Sequence, residues 1–353
     1  MQNIKSVLTT SIIIVSLIIP LIGICLLYDP NIKFEITNYI ISITIFTIYQ
    51  SFLSALISLI IGSIFAYYLK KNSEIGIIKL IVNLLSILFV MPTIIIVLGM
   101  LTFFNSFTNI YGPFGIVFCH VILNLPLATR IIYQSLNDIS GNEYILAEQM
   151  GLKKFETFLA TEWQIIKKNA PSLFALIFFI CFVSFTPVLI LGGSPKYSTI
   201  EVSIYQSVVF LNNYNTAFYL LILQLLICSI IFFLTFKNFK SENFFLDDRK
   251  IHLKNELPFR NKFTDYSIII FISLTLFISP IAIFFRGINL KFFEVFSSNY
   301  FLSSLSDTFL ICFGSGILSL LFTLNILQIL DKSKKSYEYL LYIFLVLSPG
   351  IVS

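Results

Sequence analysis

Residues able to do chemistry are scarce in this sequence, and none of them forms a catalytic set. His120 and His252 are the only histidines, too few for a His-ligated metal site or a His-based nucleophile. No G-x-x-x-x-G-K-[ST] run occurs, so the chain has no P-loop for a nucleotide. The five cysteines (Cys25, Cys119, Cys181, Cys228, Cys312) lie in apolar runs without a C-x-x-C pair and read as small buried hydrophobes. What remains is recognition. Glu201 is an acid among Thr199, Ile200, Val202 and Ile204: it attracts a cation, contacts a partner protein, or sits in interfacial water. Tyr205 offers an aromatic face suited to a cation, with Gln206 beside it. Asn124 and Pro126 form an Asn-Leu-Pro run. Its plainest reading is a helix kink, with Asn124 covering the backbone group that proline frees and His120 hydrogen-bonding between helices.

A third group lies in the stretch from Ser140 to Pro171. Ser140 and Glu143 have capping-box spacing, so a helix starts there. Leu146 and Met150 share a face, Ala147 is small enough for close approach, and Gly151 stands where a left-handed residue ends a helix. A second amphipathic helix follows, with Phe155, Phe158, Leu159 and Trp163 apolar and Lys153, Lys154, Glu156 and Glu162 in water. Two short helices joined by glycine cannot cross a bilayer, but they can fill a soluble partner's groove.

The elements that position these groups are apolar spans. The chain has 353 residues, 57% hydrophobic and 12% charged, with a mean hydropathy of +0.92. Soluble domains carry about 25% charged residues, so the class is a polytopic all-α membrane protein. The net charge of +5 then concerns loops and topology, and no nucleic-acid partner follows from it. A first span is expected over 7–28, retained and kinked at Pro20. Further spans are expected at about 40–69, 80–104, 113–134, 172–192, 215–236, 266–285 and 301–330. That makes about eight complete transmembrane helices, and 338–352 begins a partial ninth. With the N-terminus in the cytoplasm, nineteen of the 23 Lys and Arg fall inside; the outer four are Lys33, Lys196, Arg286 and Lys291. The same topology puts the 140–171 stretch in the cytoplasm and Glu201 near the outer face.

An internal repeat appears at an offset of 261: Asn38-Tyr39 with Asn299-Tyr300, Thr47 with Thr308, Ser54 with Ser315, and Ser58-Leu59 with Ser319-Leu320. The expected organisation is a first half over 1–236 with its cytoplasmic loop at 135–171, a cytoplasmic linker over 237–264, and a truncated second half over 265–353. Substrate paths in repeated transporters run between the repeats.

The run from Ala147 to Gly151, followed by nine residues to Thr161-Glu162-Trp163-Gln164, resembles the cytoplasmic EAA loop of binding-protein-dependent ABC importer permeases. Ala147 and Gly151 match that pattern, whereas Ile145, Leu146 and Gln164 replace its glutamate, first alanine and proline. The wider segment 111–208 is similar to the thiamine and thiamine phosphate permeases, a two-half family. His120, Asn124-Leu125-Pro126, Arg130, Phe182-Val183-Ser184-Phe185, Gly192-Gly193, Thr199-Ile200-Glu201 and Tyr205-Gln206 carry the likeness.

The resemblance implies a type I ABC importer permease fold in the bacterial inner membrane. Ala147, Glu148, Gly151, Leu152 and Phe155 would form the loop that couples to ATP-binding subunits, two copies per transporter. A periplasmic thiamine-binding protein would deliver substrate, and Asn124, Pro126, Glu201, Tyr205 and Gln206 would line its path or contact that protein. No cofactor or metal is implied, and ATP hydrolysis belongs to the separate ATPase. The alternatives are a permease for ferric iron or another small solute and a truncated, non-transporting remnant. A secondary carrier is disfavoured by the near absence of ionisable groups inside spans two to six.

Overall fold

The computed structural model describes residues 23, 37–104, 107, 109–236, 262–288 and 292–330. Among these every regular element is helical. In chain order they are α1 (Asn38–Lys71), α2 (Gly76–Val90), α3 (Thr93–Phe104), α4 (Pro113–Asn137), α5 (Gly141–Gln149), α6 (Lys154–Ala160) and α7 (Glu162–Phe182). There follow α8 (Thr186–Leu191), α9 (Ile200–Val209), α10 (Tyr214–Phe236), α11 (Lys262–Gly287), α12 (Phe292–Phe296) and α13 (Asn299–Leu330). Among the described residues six stretches are long and apolar enough to cross a membrane: 38–71, 113–137, 154–182, 214–231, 262–287 and 299–321. The pair α2 and α3 makes a seventh if counted as one bent span. The expected span at 7–28 apart from Gly23, the partial one at 338–352, and residues 237–261 of the expected linker lie outside the described residues.

Two spans differ from expectation, and each breaks near a proline. The run 80–104 is two helices meeting at 104°. Pro92 disfavours helical backbone at the residue before it, and Met91 is extended at φ −63°, ψ 137°. The run 172–192 is also broken. Its helix α7 begins at Glu162, passes through Pro171 and stops at Phe182; α8 restarts at Thr186 with Pro187 in its first turn. By contrast, Pro126 is carried inside a continuous α4.

The helices fall into two compact units. One comprises the described residues of 37–202 and 230–283. In it α4 and α7 pack along α1, and α2, α3, α8 and α11 share the apolar cluster of Phe65, Leu69, Leu85, Met100, Ile116, Val188 and Ile272. The other comprises those of 203–229 and 284–330, where the side chains of α13 are exposed over much of its length.

Between Ile45 and Ile64 helix α1 is built inside out. Its buried stripe is Thr47, Ser51, Ser54, Ser58 and Gly62, while Ile45, Phe52, Leu56, Ile60 and Ile64 face outward. Lipid gives apolar side chains no reason to hide, so small residues take the helix contacts and let backbones approach. A Cβ on Gly62 would lie 2.7 Å from the Ala128 Cβ of α4. Gly99 of α3 is closer still to α11: a Cβ there would meet the Ser279 carbonyl oxygen at 2.0 Å.

Candidate functional site

The hairpin of α5 and α6 is built by its caps. Ser140 Oγ accepts from Asn142 N at 3.1 Å, so the hydroxyl serves the second helical residue, whereas a capping box would serve the amide of Glu143. At the other end Gly151 N donates to the Glu148 carbonyl at 2.9 Å and Leu152 N to the Ala147 carbonyl at 3.1 Å. These two bonds form a Schellman motif, and Gly151 adopts the left-handed φ of +69° that it requires. The next helix is capped by Glu156, whose carboxylate accepts from Lys153 N at 2.7 Å.

Of the five hairpin residues singled out from the sequence, Ala147 is buried and Leu152 half-buried. Glu148, Gly151 and Phe155 are exposed. Leu146, Met150 and Phe155 are 57%, 75% and 70% exposed, so an apolar surface faces outward on the hairpin.

The final turns of α1 hold this hairpin. Lys70 Nζ donates to Tyr144 Oη at 2.5 Å and lies 5.0 Å from the centre of its ring. Tyr144 Oη in turn donates to Glu162 Oε1 at 2.9 Å, and the Thr161 hydroxyl bonds Glu162 Oε2. Tyr67 stacks edge-on against Phe158 of α6 at 5.3 Å. Burial, then the Glu162 charge and hydrogen bond, push the Tyr144 phenol well above its ordinary range, which keeps it a proton donor. The sequence reading put Glu162 in water; it is 4% exposed. The helix breaks at Thr161 (φ −109°, ψ −83°), which shifts the phase of the face and turns Glu162 inward.

A second polar cluster sits between α1, α4 and α7. The Cys181 carbonyl, in the last turn of the broken α7, accepts from Gln50 Nε2 at 3.0 Å. Asn124 Nδ2 reaches Cys181 Sγ at 3.3 Å and the His120 carbonyl at 2.8 Å. Asn124 thus bonds the carbonyl one turn back, whereas the one that Pro126 cannot serve belongs to Ile122. His120 Nε2 lies 2.9 Å from Ser184 Oγ, in the break between α7 and α8. Arg130 donates to Ser86 Oγ of α2 while its head stays exposed.

Glu201 is 2% exposed, in the first turn of α9, where the helix N-terminus favours a carboxylate. Burial excludes the reading in which it stands in interfacial water. The amide before it, Ile200 N, donates to Thr47 Oγ1 of α1 at 3.1 Å. Tyr205 and Gln206 belong to the other unit. Tyr205 is half-buried, edge-on to Phe210 at 5.8 Å, and the Gln206 carbonyl accepts from Phe210 N and Leu211 N. Among the described residues no group of three or more His, Cys, Asp or Glu is placed to hold a metal.

Lys70, Tyr144, Thr47 and Gln50 are partners that sequence reasoning did not single out. A glutamine inside an apolar span was the available signal for Gln50. Lys70 and Tyr144 meet across 74 positions and carried none.

Helices of this length and apolarity, with polar groups turned inward, define an all-α polytopic membrane protein. No family model matches the chain. It is related to the thiamine transport permeases, as the sequence resemblance implied. It is 32% identical to the thiamine transport system permease protein ThiP of Haemophilus influenzae over 213 residues, 56% of this chain and 39% of the relative. With the Escherichia coli ThiP it shares 28% over 315 residues, 82% and 57% of the two chains. The Brucella abortus protein of the same name is 30% identical over 198 residues, 52% and 36%. The chain spans between 36% and 57% of the length of the curated relatives it matches.

Proposed function

We propose that the chain is a permease component of a binding-protein-dependent ABC importer, carrying thiamine or thiamine phosphates into the cytoplasm. A partner ATPase, two copies per transporter, drives it; this chain catalyses no bond chemistry. The observation that carries the reading is the capped α5–α6 hairpin with its exposed Leu146, Met150 and Phe155, on a chain related to thiamine permeases. An apolar helix face of this size fits a groove in a soluble subunit. Ala147, Glu148, Gly151, Leu152 and Phe155 form the contact, with Gly151 fixing the angle at which α5 is presented. The distribution of Lys and Arg supports an inner-membrane protein with a cytoplasmic N-terminus and a cytoplasmic hairpin.

On the outer side a periplasmic thiamine-binding protein hands over substrate. Asn124, Pro126, Glu201, Tyr205 and Gln206 line the path or meet that protein, and the Glu201 carboxylate suits a cationic thiazolium. Alternation between outward- and inward-open states follows ATP binding and release. The test reconstitutes the transporter with its ATPase and binding protein and compares it with Gly151→Val. Thiamine-stimulated ATP turnover should be lost while membrane insertion is kept; normal turnover in that variant would sink the reading.

A further inference from the structure

We infer that Lys70, Tyr144 and Glu162 form a polar clamp that makes the α5–α6 hairpin and α1 move as one piece. Through α1, this clamp passes hairpin displacement to the helix start that carries Glu201. The inference rests on the proposed coupling role of the hairpin and adds the route by which its motion leaves it.

Three contacts place the clamp. Lys70 is the next-to-last residue of α1, Tyr144 lies in the middle of α5, and Glu162 opens α7. The Tyr144 hydroxyl accepts from the first at 2.5 Å and donates to the third at 2.9 Å, so one oxygen ties three helices together. Glu162 is buried, and a buried carboxylate deprived of its donors costs far more than an exposed one. Tyr67, one turn before Lys70, adds an aromatic contact to α6. Every helix of the hairpin region is therefore gripped by the same end of α1.

The far part of α1 is gripped as well. Thr47 Oγ1 receives the Ile200 amide at 3.1 Å, and Gln50 holds the Cys181 carbonyl at 3.0 Å where α7 breaks. Thr47 and Lys70 are 23 residues apart, about 35 Å along an α-helix. Helix α1 runs unbroken between them, with no internal proline to absorb a displacement. A shift at the hairpin therefore reaches the amide next to Glu201 through one rigid element, with hydrogen bonds at both ends.

Tyr144→Phe is the discriminating variant, because it keeps the ring and removes only the oxygen. In the assembled transporter, two readouts are followed: amide hydrogen exchange over 141–160, and thiamine taken up per ATP hydrolysed. Exchange should rise about tenfold, as expected for loss of hydrogen bonds to a charged group. Uptake per ATP should fall several-fold with ATPase association retained. Glu162→Ala should behave alike. Glu162→Gln preserves an acceptor for Tyr144 and should stay near the unsubstituted protein, which separates a positioning role from damaged folding. Unchanged exchange in Tyr144→Phe overturns the clamp. Faster exchange with unchanged uptake per ATP overturns its role in transmission. Failure of the unsubstituted chain to recruit an ATPase would instead overturn the proposed function, and the exchange readout would still judge the clamp.

Discussion

Lys71 Nζ lies 3.0 Å from Asp265 Oδ2 and 3.1 Å from Oδ1, joining the last residue of α1 to the first turn of α11 across 194 positions. The Asp265 side chain is 2% exposed and that of Lys71 16%, so the pair is largely shielded from solvent. It couples a helix of the expected first half to the first helix of the expected second half. Removing one partner strands a buried charge. Asp265→Ala should lower stability by about 3 kcal/mol. The double variant Lys71→Met, Asp265→Leu should recover most of that loss, because two apolar groups leave no stranded charge. Thermal unfolding in detergent checks both; an unaltered midpoint in Asp265→Ala would show the pair to be incidental.

Gly99 is a contact that tolerates no side chain. Its virtual Cβ falls on backbone, which cannot rotate away. Gly99→Ala should cost about 2 kcal/mol, typical of overpacking. Gly76→Ala, in open space at the start of α2, serves as the comparison and should change stability little.

Gly151 presents the opposite case: nothing lies within 4 Å of its virtual Cβ, so only the backbone resists substitution. Gly151→Ala should cost about 1 kcal/mol through the left-handed φ, and Gly151→Asn less. The local nature of the effect is checked by amide exchange, which should rise in α5 and stay constant in α4.

Met150→Asp and Phe155→Asp place charges on side chains that are already exposed. Stability should move by no more than about 0.5 kcal/mol. Association with the ATPase, measured by co-purification from membranes, should fall at least about tenfold if this face fills a groove. Retained association would point to a different contact surface.

Glu201→Gln removes charge with little change of shape. Thiamine uptake should drop at least about tenfold if the carboxylate meets the cation on its path, the scale of a lost charge-assisted contact. Undiminished uptake at equal protein levels would take Glu201 out of the path.

Local features were the legible ones. Gly151 announced a helix end because the requirement for positive φ is met within five residues of chain. The apolar runs announced spans because hydropathy needs no partner to be read. The bend at Pro92 was hidden by continuous apolarity on both sides, although the proline itself was in plain view. Glu162 was misplaced because a single helical period was drawn through Thr161, where the backbone departs from helix. Long-range partners were beyond reach: Lys70 with Tyr144 and Gln50 with Cys181 are 74 and 131 positions apart. Nothing in local spacing pairs them.

The stripe of Thr47, Ser51, Ser54, Ser58 and Gly62 also predicts how α1 tolerates change. Exchange of Ile60 or Ile64 for leucine, valine or phenylalanine alters only side chains that face outward. Enlarging Ser54, Ser58 or Gly62 wedges neighbouring helices apart. A saturation library over 45–64 should therefore show a tolerance profile with helical period whose permissive face is the greasy one. That is the reverse of a water-soluble helix, where the greasy face is the one that admits least variation.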